Sequence, residues 1–302
     1  VLTTTPTPAG TLPAPTPADD DPQAPPVVVG ADGSDCGLRA VRWAAEEAAR
    51  RGAPLLIVHA MPHLGRRGVA GSAATDLPRA RGATAQAYTV ARHTAPSVPT
   101  STEVAPGEPV GALLRAAEDS QLVVLGINTT GAADEMVLAS VAQRVAARSP
   151  RPVVVVPRSR PGTAGSRPQV AVLGLGERVD DEPVATFAAE QARRMGRPLL
   201  VLHTQDDGAG DWAAESPAWA ERYPDLRVTH APVPGVTGGR VLAAACPTPL
   251  MALSAGHGGL LHRPLDGLHR WLLRHCTSPM VFVPPVHRVT GTEPREEIIA
   301  LG

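Results

Sequence analysis

Asp32 stands where an apolar run, Val27 to Val29, breaks into Gly30-Ala31-Asp32-Gly33-Ser34. A carboxylate at a strand end suits a ligand's N–H donors, and it equally suits a turn or helix cap before Gly-Ser. The residues alone leave both roles open. A second apolar run, Leu122 to Leu125, ends on Gly126 and enters a polar, Gly-containing loop that leads to a helix near Met136. Backbone N–H groups and a positive helix N-terminus converge on such a loop, which suits an anion. Ser140 either donates to that anion or caps the helix.

Other reactive types are scattered more loosely. Ala252-Leu253-Ser254-Ala255-Gly256 has the small-x-Ser-x-Gly form of a nucleophile elbow, with His257 nearby. Partners for a serine hydrolase are found only loosely, as Asp266 with His269 or His275. His257, His262, His269 and His275 are spaced by five, seven and six residues, so no pair has the i, i+4 spacing of ligands on one helical face. Exposed and capping histidines are expected there rather than a metal site. Cys36 follows Asp35 at a helix start and has no resolving cysteine nearby, so it reads as an ordinary thiol.

Composition narrows the classes. At 302 residues the chain is long enough for two domains, and 43% hydrophobic with 3% aromatic residues implies cores of Val, Leu and Ala. A net charge of −1 gives no general nucleic-acid footprint. The chain contains no lysine, which excludes a lysine-bearing P-loop and Schiff-base catalysis. Cys36, Cys246 and Cys276 are an odd, widely spaced set without C-x-x-C and read as reduced thiols. No apolar stretch approaches the ~18 residues of a membrane span, and no signal peptide is visible. A cytoplasmic protein without membrane or nucleic-acid partners is expected.

The elements that must position these residues alternate. Residues 1–25, rich in Pro, Thr and Ala, are expected to be disordered. A buried strand over Val27–Val29 leads into a helix over Asp35–Arg51, whose apolar positions fall at helical spacing and which Gly52 ends. Pro54–Ala60 reads as the second strand. A long loop from Met61 to about Arg79 and a weak helix over about Ala80–Thr94 follow. Thr100–Ala105 reads as a polar, less buried strand, and Pro109 opens a helix through Val110, Leu113 and Leu114. The runs Leu122–Leu125 and Val153–Val156 supply strands four and five.

After a linker at 159–167 the pattern restarts. Gly196-Arg-Pro-Leu-Leu-Val-Leu-His203 repeats Gly52-Ala-Pro-Leu-Leu-Ile-Val-His59 at an offset of 144 residues (203 − 59). Leu250–Ser254 matches Leu122–Gly126 at 128 (250 − 122), and Pro279–Pro284 repeats Pro152–Pro157. The second copy is therefore shorter, mainly by the Met61–Arg79 loop. This is an internal duplication. Strands alternating with helices imply parallel sheets with helices on both faces, and ligands bind beyond the strands' carboxyl ends. In the first copy those ends carry Ala31, Asp32, Ala60 and Gly126.

On these residues the chain resembles a tandem universal stress protein. The carriers are Val27–Ser34, Gly52–Ala60, Leu122–Gly126, Ala139-Ser140-Val141 and Pro152–Val156, together with their order and repetition. The resemblance implies two tandem doubly wound five-stranded parallel-sheet domains of the adenine nucleotide alpha-hydrolase-like type. They would span 26–158 and 168–286, with a tail at 287–302. It further implies an internal pseudo-dimer in which Val153–Val156 and Met280–Val283 are the pairing edges. The nucleotide-binding branch of the family directs a strand-end Asp at adenine and uses a backbone contact after the second strand. It wraps ribose and phosphates with a loop of the form Gly-x2-Gly-x9-Gly-Ser/Thr.

Carried over, these roles fall on Asp32, Ala60, Gly126, Thr129, Ala139 and Ser140, with Ala31 and Val141 adjoining. Thr129 and Ala139 replace two glycines. A Cβ obstructs positive φ and close phosphate approach, most of all at β-branched Thr129. In the second copy Gly176 replaces Asp32, Ser254 replaces Gly126 and His257 replaces Thr129. Asp266 and Gly267 take the places of Ala139 and Ser140, and Asp266 sets a negative charge where phosphate would sit. The expectation is a stress-response regulatory or binding module with weak ATP binding in the first copy only. A nucleotide-independent interaction scaffold, and from a different class a serine hydrolase at Ser254, are the alternatives. A homodimer and protein partners are left open.

Overall fold

In the computed structural model, residues 24–62, 70–127, 141–158, 170–174, 182–205, 221–234, 237–255, 265 and 267–285 are described. Runs of Val and Leu bounded by turn residues become ten strands. The first half holds β1 (Val27–Gly30), β2 (Leu55–Met61), β3 (Thr100–Pro106), β4 (Leu122–Gly126) and β5 (Val153–Val156). The second holds β6 (Val170–Gly174), β7 (Leu199–Gln205), β8 (Val228–Pro234), β9 (Met251–Ser254) and β10 (Met280–Val283). The helices are α1 (Asp35–Arg51), α2 (Ala70–Thr94), α3 (Pro109–Glu118), α4 (Glu182–Met195), α5 (Gly238–Ala245) and α6 (Gly267–His275). Residues 141–146 are also helical.

The strands form one sheet in the order β3-β2-β1-β4-β5-β10-β9-β6-β7-β8. Each half is parallel and has the same internal order, with its first strand between the second and the fourth. The halves join where β5 and β10 pair antiparallel, the edges that the resemblance implied. Val154 pairs with Val281, its own counterpart in the repeat, so a pseudo-twofold axis passes between them. Joining the two edges satisfies backbone groups that would otherwise recruit another strand.

Alternation along the strands builds one apolar cluster on each face. Val27 and Val29 pack with α1, α2 and α4, while Val28 packs on the other face with α3, 141–146, α5 and α6. Ser34 caps α1, accepting from the Gly37 N–H at 3.1 Å. Gly52 closes the helix at φ 60, and its counterpart Gly196 has the same φ. A left-handed residue ends the same helix in both copies.

Two departures from the sequence reading stand out. The helix expected to begin near Ala80 begins at Ala70, so ten residues read as loop are helical. Alanine is the strongest helix former, and the Ala-rich start outweighs both Gly71 and the intrahelical bond that Pro78 forgoes. At the other end of the domain, the Pro25 carbonyl accepts from Gln121 Nε2 at 2.8 Å, which ties down the last residue assigned to the tail.

Across the pseudo-twofold axis, α1 meets α4. Glu47 is fully buried and accepts from Arg51 Nε at 2.6 Å, Arg50 Nε at 3.0 Å and Gln191 Nε2 at 2.7 Å. Arg51 also donates to Gln191 Oε1 at 2.9 Å and lies over the Phe187 ring at 5.7 Å. Glu47 and Gln191 are repeat equivalents, 144 residues apart. A faithful repeat would face carboxylate to carboxylate here; the amide instead supplies the donor.

Candidate functional site

The carboxyl ends of β1, β2 and β4 meet at the point where strand order reverses on either side of β1. Ala31 is buried there. Its N–H donates to Val58 O at 2.9 Å, and its carbonyl lies 2.7 Å from His59 Nδ1. A carbonyl only accepts, so Nδ1 carries the proton of this bond. His59 was seen in the sequence only as part of the repeated Pro-Leu-Leu-x-x-His; its bond to the strand-end carbonyl carried no sequence signal, since its counterpart His203 meets His230 instead.

Asp32 is exposed and follows directly. Its Oδ1 accepts from the Ser34 N–H at 3.0 Å and from Ser34 Oγ at 2.6 Å. No described residue donates to Oδ2. Of the roles left open by the sequence, the turn is the one observed: Oδ1 builds it, and Ser34, not Asp32, caps the helix. Gly37 makes this possible, since a Cβ there would lie 2.5 Å from Asp32 Oδ1. A glycine in the first turn of an otherwise good helix was the available sign.

Gly126 closes β4 against the start of α1. A Cβ on it would sit 2.2 Å from the Cys36 carbonyl oxygen and 2.5 Å from its carbon. The missing side chain thus lets the strand end abut the helix backbone, a role independent of any ligand. Cys36 is buried beside it, and Arg39 Nη2 donates to its Sγ at 3.1 Å. Ala60 is half-buried and still within β2, in register with Ala105; the strand runs one residue further, and Met61 O accepts from the Gly107 N–H at 3.1 Å. Val141 is the first described residue of the helical stretch 141–146 and packs partly against the core. The structure brings together Ala31, Asp32 and Gly126 with α1. Thr129, Ala139 and Ser140 lie outside the described residues.

The second half differs at the same place. Ser254 is 6% exposed, the last residue of a regular strand in register with Val283. A nucleophile elbow presents its serine exposed on a sharp turn; Ser254 is buried. His269, expected at the surface, is 2% exposed, because residues 269, 272 and 273 form the buried face of α6. Its ring tilts against Phe282 at 5.8 Å. His275 is exposed as expected and stacks on Trp271 at 4.0 Å. Among the described residues no group of three metal-ligating side chains occurs. Gly176, His257, His262 and Asp266 lie outside them. His203, the counterpart of His59, lies 2.9 Å from His230 (Nε2 to Nδ1), and burial pushes both imidazoles below their ordinary range.

Residues 25–157 match the model of the universal stress protein family. Universal stress protein Rv2028c of Mycobacterium tuberculosis is 30% identical over 223 residues, covering 70% of this chain and 78% of that protein. This chain belongs to the universal stress protein family. Universal stress protein Rv2624c of the same species is 26% identical over 270 residues, covering 85% of this chain and 95% of the relative. A universal stress protein structure from Archaeoglobus fulgidus superposes with a TM-score of 0.68 over 87% of this chain and 97% of its own, at 14% identity, a likeness of fold alone. No described helix of this universal stress protein is long and apolar enough to cross a membrane.

Proposed function

We propose that this universal stress protein is a stress-response regulatory or binding module rather than an enzyme. Its first half takes ATP or another adenine nucleotide at the carboxyl ends of β1, β2 and β4. Residues 26–158 and 168–286 are read as its two domains, and the second is a non-binding partner. The observation that carries the reading is Asp32: its Oδ1 is held by Ser34 while Oδ2 is left as an acceptor at the strand-order reversal. Such an acceptor suits an exocyclic amine, and the Gly126 loop suits the phosphates. Thr129 and Ala139 in place of glycine make the binding weak. Ser254 and Asp266, standing where the first half has Gly126 and Ala139, support a second half that takes no nucleotide.

Calorimetric titration of the full chain with ATP tests this, with an expected stoichiometry of one per chain. Two sites per chain would overturn the assignment of the second half. No heat at millimolar ATP would favour a nucleotide-independent scaffold, the reading in which the Asp32–Ser34 turn is the whole purpose of that carboxylate.

A further inference from the structure

We propose that Cys246 and Cys276 are a thiol pair that a hydroperoxide converts to an intramolecular disulfide, a modification site of the second half that is independent of the nucleotide reading. The sequence separates the two cysteines by 30 residues, and the fold sets their Sγ atoms 3.5 Å apart. Each residue follows the end of a helix, and each N–H closes the last turn at 2.8 Å, Cys246 on Leu242 O and Cys276 on Leu272 O. The turns beyond are also tied together, because the Thr248 N–H donates to Ser278 Oγ at 2.9 Å. Elsewhere along the same helix pair the Trp271 ring covers Gly238, where a Cβ would lie 2.0 Å from Cε3. The helices are thus tied beside the sulfurs and again where the start of α5 meets the middle of α6, and the sulfurs need to approach by only about 1.5 Å to reach disulfide bonding distance. In the first half the equivalent positions hold Glu118 and Ser149, so this pairing belongs to the second half alone.

The two thiols are unequal. Cys276 is 1% exposed, whereas Cys246 is half-buried and accessible to a small peroxide. The hydrogen bond with Cys246 and burial push the Cys276 thiol up, so it stays protonated, its Sγ within 3.5 Å of both Cys246 Sγ and the Ser278 carbonyl that accepts from it. Cys246, the more accessible sulfur, is the attacking group and reacts as its thiolate once its proton has passed to solvent. It cleaves the peroxide O–O bond, taking one oxygen as a sulfenic acid while the other leaves as hydroxide, or as alkoxide from an organic peroxide, and takes up a solvent proton to become water or an alcohol. The Cys276 sulfur next attacks the Cys246 sulfur, the S–O bond breaks, and hydroxide departs with the Cys276 proton as water. The two sulfurs together give up two electrons, which the peroxide receives.

The test treats the purified full chain with hydrogen peroxide, blocks residual thiols with iodoacetamide and maps tryptic peptides. The expected product joins the peptide containing Cys246 to that containing Cys276. Cys36 stays alkylated, the crosslink itself accounts for a loss of two hydrogens, and dithiothreitol reverses it. The oxidised protein melts at a higher temperature than the reduced one, and Cys246→Ser and Cys276→Ser abolish that difference. Cys246 and Cys276 both alkylated after peroxide has been consumed, or disulfides to Cys36 or between chains, would overturn the proposal. The peptide map of the unmutated chain decides the matter even where a variant fails to fold.

Discussion

Replacing Glu47 with Gln keeps the shape of the side chain at the join between the two halves and removes its charge. Arg51, whose side chain is 6% exposed, then loses the carboxylate that accepts its Nε at 2.6 Å. Arg50, 28% exposed, loses a second bond at 3.0 Å, and screening by solvent discounts that share. Removing one partner of a buried pair typically costs 3–5 kcal/mol, and the neutral acceptor that Gln retains puts the expected loss at about 3 kcal/mol. In urea unfolding with an m of about 3 kcal/mol/M, that lowers the midpoint by roughly 1 M. Glu46→Gln is the control. Its carboxylate is 54% exposed and lies 3.7 Å from Arg50, so its effect should stay within about 0.5 kcal/mol. Arg51→Met supplies the second arm, since Met195 stands at that place in the other half. The double variant should be more stable than the sum of the single losses implies, with a coupling of about 1.5 kcal/mol or more. A loss below about 1 kcal/mol for Glu47→Gln, or additive single effects, would refute the view that this cluster fastens the halves.

Three further outcomes are expected. Gly126→Ala forces a Cβ onto the Cys36 carbonyl and should destabilise by about 1–3 kcal/mol in the same denaturation assay. Gly52→Ala and Gly196→Ala meet no neighbouring atom but must hold φ near 60, so each should cost about 1 kcal/mol, and nearly the same in both copies. His203 and His230 have folded values held below the ordinary imidazole value by burial, and at His203 also by the nearness of His230. Their contribution is fully present while both are neutral, above the unfolded value, and is lost as pH falls through the folded values. Melting temperature should therefore fall on acidification below about pH 6.5, and His203→Gln with His230→Gln should flatten that slope.

The alternation of strands and helices was readable because buried Val and Leu runs, the repeated Pro-Leu-Leu-x-x-His and the glycines at 52 and 196 carry local, periodic signals. The start of α2 was not readable, because Gly71 and Pro78 punctuate a stretch whose alanines nevertheless sustain a helix. Asp32 was legible as a strand-end carboxylate, but the split between its two oxygens depends on the bare surface of Gly37. The Glu47–Gln191 bond and the approach of Cys246 to Cys276 arise only once strand order and helix docking are set. No spacing within the chain announces either. His269 misled for a related reason: histidine spacing alone does not reveal that the side chain lies on the same helical face as Leu272 and Leu273.

The most direct measurement is ATP affinity by calorimetry for the unaltered chain beside Asp32→Asn. The amide keeps an oxygen for the Ser34 N–H and O–H, so the turn and the melting temperature should hold, while an NH2 donor takes the place of Oδ2. The account predicts at least a tenfold loss of ATP affinity, about 1.4 kcal/mol, with an unchanged melting temperature. Equal affinity in the two proteins would contradict an adenine contact at Asp32 and would leave that carboxylate as a turn residue alone.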